Sequence, residues 1–321
     1  MSFTIIGTGR SVPPLAVKNS DLSKIVETSD EWITSRTGIK ERRVLSGETL
    51  LDISEKAALA ALKNSGTDAK ELDLILCTTL QGDYITPSLA CMVMERLGAE
   101  CPAFDINAAC SGFIYALDLA SSYFETKRAK KILIVSAEHL SKFLDWSDRR
   151  TCVLFGDGAG AAVLKAGESL LALSLRAKGN YSVLNIPSNV PPTPFDVSGG
   201  YQKKQFLTMN GQEIYKFAVT TVAEDVISAT KKAGITADDI DYFLLHQANG
   251  RIIDAVRQRM NQPESKFPVN LMNYGNTSSA TVPILLDELN SENRFKKGDL
   301  IFMSAFGAGL TSGVCIIKWG Y

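Results

Sequence analysis

The chain has 321 residues, with 34 basic against 35 acidic side chains and a formal net charge of -1. That length suits two similar domains or one large α/β unit, and the charge balance excludes a globally basic surface of the kind that gathers nucleic acid or anionic membrane. The six cysteines (Cys77, Cys91, Cys101, Cys110, Cys152 and Cys315) form no CxxC pair and no zinc spacing, so a reduced compartment is expected and no metal. No apolar run approaches the ~18 residues that span a bilayer. The opening MSFTIIGTGR lacks a basic segment before an apolar one, so no signal peptide, no membrane insertion and a cytoplasmic location are expected.

In chain order, residues 3–9 read as a strand. Ser29-Asp30-Glu31 has the form of a helix start leading into Trp32. Residues 49–64 have helical spacing, with Gly66 as the stop. Residues 72–78 read as a strand and 87–97 as a helix closed by Gly98. The apolar run 103–106 predicts a buried strand, followed by small residues and then by an apolar helix over 113–120. Cys110 therefore stands where a strand turns into a helix start, where free N–H groups and the helix dipole favour a thiolate. Ala108, Ala109, Ser111 and Gly112 leave room for a substrate. A buried structural cysteine is the competing reading. Residues 131–136 predict another strand, and the alternation of strands with helices argues for α/β layering.

The second half repeats the first. Residues 63–76 line up with 231–244 without a gap, at an offset of 168 (234 − 66), and 134–137 line up with 302–305 at the same offset. Between them, 107–110 falls near 273–276 at an offset of 166 (276 − 110), which sets Cys110 opposite Asn276. Three matches in one order imply a duplicated α/β half, with halves over 1–168 and 169–321. Residues 178–205 interrupt the pattern with Pro187, Pro191, Pro192, Pro194 and Gly199-Gly200, and read as a lid or pocket-wall loop.

Polar residues at strand ends are where α/β folds build sites. Of the two histidines, His246 closes the apolar run 242–245, whereas His139 reads as structural or exposed. Taken alone, His246 is as readily a core residue, and Asn276 in NYGNTSSA is first a helix-capping residue. FGDGAG at 155–160 and FGAGLT at 306–311 expose backbone N–H groups, but strand-like sequence follows each, so the context of a dinucleotide loop is missing.

Together, NAACSGF at Cys110, HQAN at His246, NYGNTSSA at Asn276, FGDGAGAAV at Phe155, FGAGLTSG at Phe306 and SDEWITSRTGIKERR from Ser29 resemble the 3-oxoacyl-[acyl-carrier-protein] synthase III family, over nearly the whole chain and in the family's order. The resemblance implies a thiolase-like α/β fold, two similar halves in an α-β-α-β-α sandwich, a homodimer, and a Cys110/His246/Asn276 site with no metal or redox cofactor. Elongating relatives pair the cysteine with two histidines, and thiolases carry a second cysteine near the last glycine-rich turn. Here Asn276 replaces one histidine and FGAGLTSG has no cysteine.

The resemblance further implies that Cys110 takes an acyl group from acyl-CoA, with the N–H groups of Cys110 and Ala308 as oxyanion donors. His246 and Asn276 would serve decarboxylative condensation with malonyl-acyl-carrier protein. Trp32, Arg36, Arg149 and Asn210 match CoA-binding positions, with Arg150 competing with Arg149. Thr86, Phe155 and Phe306 match the acyl pocket, and Thr86, contributed across the dimer, leaves it roomier than a bulky aromatic would. Arg251 matches a position that meets the acidic carrier protein, and Lys216, Arg257 and Arg259, on or near two predicted helices flanking the site motifs, are expected to extend that face. A related condensing enzyme of polyketide or quinolone type is the alternative.

Overall fold

Helix boundaries follow the side chains that can cap them. Ser29, Thr49 and Ser88 each accept a hydrogen bond from the N–H three residues on, and Gly38, Gly66 and Gly98 end those helices at φ of +80°, +62° and +65°. Side-chain oxygens at the first position and glycine at the last are what free helix ends call for. The computed structural model describes residues 2–188, 195 and 205–320.

The first half runs β1 (Ser2–Ser11), β2 (Ala16–Lys18), α1 (Asn19–Leu22), α2 (Asp30–Thr37), β3 (Glu41–Arg43), α3 (Leu50–Ser65), β4 (Leu74–Thr78), α4 (Leu89–Leu97), β5 (Ala103–Ile106), α5 (Gly112–Glu125), β6 (Lys131–Glu138) and β7 (Gly158–Gly167). The second runs β8 (Leu170–Ala177), β9 (Leu184–Asn185), β10 (Thr208–Met209), α6 (Gly211–Ala233), β11 (Tyr242–Leu245), α7 (Gly250–Arg259), α8 (Leu271–Tyr274), α9 (Thr281–Ser291), β12 (Leu300–Gly307) and β13 (Thr311–Lys318). One sheet has the order β1-β7-β6-β4-β5 and the other β8-β13-β12-β11. The β4/β5, β4/β6 and β11/β12 pairs are parallel, and the other pairs of these two sheets are antiparallel.

Alternation along the strands builds the layers. Leu74, Leu76, Ile132 and Ile134 face inward with Ile301, Met303 and Cys315 of the other sheet, and α5 and α9 lie between them. Covered on both sheet sides, α5 buries Phe113, Ile114, Ala116, Leu117, Ala120 and Phe124 and keeps its exposed positions to Ser122 and Glu125 near its end. The opposite strand faces, Ile75, Cys77, Leu133 and Val135, pack on α3 and α4, while Phe243, Leu245, Phe302 and Val314 pack on α6 and α7. The result is five layers, α-β-α-β-α.

Three sequence expectations change. The run 103–106 forms a strand, but it lies at the sheet edge and is half-buried along its length. The repeat register also shifts. Leu74 pairs with Ile132 and Tyr242 with Ile301, so β12 matches β6 at an offset of 169 (301 − 132). The same offset holds at the helix starts. Asn107 accepts from the N–H of Ala109, and Asn276 accepts from the N–H of Ser278. Ala109 and Ser278 have φ of +48° and +51°, and a short 3₁₀ turn then enters α5 or α9. Asn276 is thus the counterpart of Asn107, and Cys110 that of Ser279 (279 − 110 = 169), not of Asn276. Third, the stretch 178–205 contains strand β9, which pairs with β10; Pro191, Pro192, Pro194, Gly199 and Gly200 lie outside the described residues.

Candidate active site

Each helix start of the central layer rests against a strand end of the other half. Ser279 meets Glu138 at the end of β6, its hydroxyl donating to the carboxylate at 2.6 Å. Cys110 meets Gly307 at the end of β12, where a Cβ would come 2.7 Å from the Cys110 nitrogen and 3.0 Å from its Cβ. Glycine at 307 therefore lets the last turn close on the cysteine's backbone. Thr311 ties that turn down, its hydroxyl lying 3.0 Å from the Ala308 carbonyl, 3.2 Å from that of Ala108 and 3.1 Å from the Ser111 hydroxyl.

Cys110 is 8% exposed. Burial pushes its thiol up to about 12; Ser278, donating to Sγ at 3.4 Å, pulls it back, and the nearby Glu138 carboxyl adds to the rise. The expectation that the helix start yields a thiolate near neutral pH is corrected: desolvation outweighs it, and the resting form is the thiol.

His246 follows β11, and its N–H donates to Ser304 at 2.8 Å, continuing the strand. Its ring is buried, with Nδ1 2.6 Å from the Thr281 hydroxyl at the start of α9 and its face edge-on to Phe306 at 5.2 Å. Burial drives its pKa down to about 3, so the imidazole is neutral across the working range. Asn276 is held by its backbone, its N–H donating to Leu154 and its carbonyl accepting from Gly156, in a bridge with Phe155. Its side-chain oxygen accepts from the Ser278 N–H at 2.8 Å, which leaves the amide NH₂ as the free end.

Two cavities meet at Cys110. The smaller, about 110 Å³, is lined by Cys110, His246, Asn276, Phe155, Phe306 and Leu154, among others. The larger, about 860 Å³, runs from Cys110 past Phe155 and Ala308 towards Tyr84, Ile85 and Pro187. Thr86 is exposed and lines neither cavity of its own chain, whereas Phe155 lines both. Glu138 accepts the Leu80 N–H at 3.0 Å and so anchors the wall of the larger cavity. Burial raises its carboxyl to about 7.

On the surface, Trp32 carries two guanidinium groups, Arg36 at 4.6 Å and Arg149 at 5.0 Å from the ring centre. Arg150 instead forks onto Asp148. Asn210 caps α6, accepting from the Glu213 N–H, and lines neither cavity. Arg251 donates twice to the Ser35 carbonyl, joining α7 to α2. Arg257 pairs with Asp254 at 2.7 Å, while Lys216 and Arg259 are exposed.

The family model described as 3-oxoacyl-[acyl-carrier-protein (ACP)] synthase III matches residues 104–179, and the model of that enzyme's C-terminal part matches 230–319. The chain belongs to the 3-oxoacyl-[acyl-carrier-protein] synthase III family. Among its relatives in this family, the beta-ketoacyl-[acyl-carrier-protein] synthase III of Clostridium acetobutylicum is 46% identical over 99% of both chains. That of Geobacillus kaustophilus is 43% identical over the full length of both. The crystal structure of 3-oxoacyl-[acyl-carrier-protein] synthase III from Aquifex aeolicus VF5 superposes with a TM-score of 0.91 at 44% identity, covering 98% of this chain and 99% of that one. The five layers are thus the thiolase-like fold of this synthase III family.

Sequence reasoning missed Ser278, Thr281, Glu138 and Gly307 in this synthase III site. Serine, threonine and a strand-end glutamate carry no local signal. Gly307 was seen only as part of a glycine-rich turn, although a glycine where a strand ends against another helix start is a cue to close backbone approach.

Proposed function

We propose that this chain condenses the acyl group of an acyl-CoA with malonyl-acyl-carrier protein, giving a 3-oxoacyl-carrier protein and starting fatty acid synthesis. The observation that carries the reading is the convergence of Cys110, His246 and Asn276 on one small cavity that opens beside a large one, in a chain 46% identical over 99% of its length to a protein named for that synthase.

Cys110 attacks the thioester carbonyl of acyl-CoA, and the proton it loses leaves on the CoA sulfur. The N–H groups of Cys110 and Ala308, brought close by Gly307, donate to the oxyanion; losing one such donor costs ~3 kcal/mol. The acyl chain occupies the larger cavity, whose about 860 Å³ suits chains longer than acetyl. The carrier-bound malonyl group then loses CO₂, and its enolate oxygen needs donors. The Thr281 hydroxyl lies within reach of both the Ser278 carbonyl at 3.0 Å and His246 Nδ1 at 2.6 Å; in this reading it turns its one proton to Nδ1, which leaves the ring proton on Nε2. Nε2–H and the free NH₂ of Asn276 hold the enolate oxygen. The enolate carbon attacks the acyl-Cys110 carbonyl and the thiolate departs.

Trp32 and Arg149 take the adenine, with Arg36 on phosphate, while Arg251, Arg259, Arg257 and Lys216 face the acidic carrier protein. The edge strand β5, with Tyr84 and Ile85 exposed beside it (61% and 90%), supports a homodimer, which would carry Thr86 towards the partner's pocket. Six free cysteines suit a cytoplasmic location, and residues 1–168 and 169–321 are the two halves.

A two-stage assay tests the reading. His246→Ala and Asn276→Ala should still take an acyl group from acyl-CoA but fail to condense it with malonyl-carrier protein. Loss of the first stage alone in either variant would reverse the assigned roles. Condensation with malonyl-CoA in preference to the carrier-bound form would favour the polyketide-type alternative.

A further inference from the structure

Ser278 touches Cys110 and Asn276 directly and reaches His246 through Thr281. Its hydroxyl donates to Cys110 Sγ at 3.4 Å. Its N–H donates to the Asn276 side-chain oxygen at 2.8 Å. Its carbonyl lies 3.0 Å from the Thr281 hydroxyl, which is 2.6 Å from His246 Nδ1. The residue is 1% exposed and left-handed, at φ +51°.

The duplicated fold supplies an internal control. Ala109 holds the same place in the first half (278 − 109 = 169), with φ +48° and its N–H on Asn107. Alanine builds that turn without a hydroxyl. The hydroxyl at 278 is therefore not needed by the turn, and it is aimed at the sulfur of the other half.

We propose that Ser278 is a further catalytic residue, whose hydroxyl donates to the Cys110 sulfur and stabilises the thiolate that attacks acyl-CoA. This rests on Cys110 being the nucleophile. A thiolate formed in a site this dry needs a donor, and hydrogen bonds to a charged acceptor are the strong ones. Ser278 opposes the burial that holds the thiol protonated, while Glu138 acts the other way. Among the described residues, the other titratable groups lining the two cavities are His246 and Tyr215 in the smaller, and Asp105 and Tyr84 in the larger. None of them is a cation at neutral pH that could replace the hydroxyl.

The experiment follows Cys110 alkylation by iodoacetamide against pH, mapped by peptide mass, beside acylation by acyl-CoA. Ser278→Ala and Ser278→Gly should both react about 10- to 100-fold more slowly at pH 7.5, with the alkylation profile moved to higher pH. Condensation starting from enzyme already acylated expels the same thiolate and should slow in the same sense. Glycine takes the left-handed turn freely, so equal losses in the two variants identify the hydroxyl. Slow alanine with wild-type glycine would mean backbone strain and overturn the proposal, as would unchanged rates and profile in both. If wild-type Cys110 takes no acyl group at all, it is the nucleophile assignment that fails.

Discussion

Replacing Gly307 with alanine tests how closely the last turn must approach the nucleophile. The new Cβ would lie 2.7 Å from the Cys110 nitrogen, 3.0 Å from its Cβ and 3.3 Å from its Cα. Ordinary contact begins near 3.4 Å, so the two backbones must part by about 0.7 Å (3.4 − 2.7). Neither can yield by a rotamer change, because the atoms struck are backbone and the nucleophile itself. Overpacking of this kind costs about 1–3 kcal/mol of stability. A nucleophile and oxyanion donors displaced by nearly 1 Å lose about 100-fold in rate. Acylation of Gly307→Ala by acyl-CoA, followed by intact mass under rapid quench, should therefore fall by about 10- to 100-fold, with a melting temperature lower by a few degrees. Gly179→Ala is the control, since a Cβ there meets nothing within 4 Å, and it should match wild type in both readouts. Wild-type acylation by Gly307→Ala would refute the idea that this contact sets the site's geometry.

Thr281→Val removes the hydroxyl that partners His246 Nδ1 among the described residues; it should spare acylation and slow condensation about 100-fold, and Thr281→Ser should restore it. Glu138 has a folded pKa of about 7 against a usual 4.5, so its contribution is full below 4.5 and is lost as pH rises through 7, a fall of about 3 kcal/mol. Glu138→Gln stays neutral, and its melting temperature should gain on wild type between pH 5 and 8; parallel curves would contradict this. His246 acts in the opposite sense, with a folded pKa of about 3: stability is full above its usual 6.5 and falls as pH drops towards 3, in wild type and in Glu138→Gln alike. Arg149→Ala should raise the KM for acyl-CoA while Arg150→Ala leaves it unchanged, and the reverse would move the nucleotide away from Trp32.

Helix ends were legible because Ser29, Thr49, Ser88 and the glycines that follow are local signals, acting within one turn. That the chain is layered α/β was legible from strand–helix alternation, while the five-layer order came only with the motifs that resemble the synthase III family. The repeat was legible too, but its register at the site was not. Matching letters set Cys110 against Asn276, whereas the equivalence lies in a turn that Ala109 and Ser278 share through a backbone angle that neither residue type favours. The half-buried state of β5 depends on its place at a sheet edge, which only the topology decides. The rise of the thiol pKa was not legible because the helix start is visible in sequence while the burial of Cys110 is not. Ser278, Thr281 and Glu138 are common residue types that gain a role only when the fold sets the two helix starts against each other and against strand ends.

The central claim is that Cys110 carries the acyl group. Intact-mass measurement of the protein after exposure to a mixture of straight and branched acyl-CoAs tests it most directly. The account predicts a single acyl adduct, mapped to the Cys110 peptide, absent in Cys110→Ala, and discharged when malonyl-carrier protein is added. An adduct that persists in Cys110→Ala, or that maps to another of the six cysteines, would contradict it.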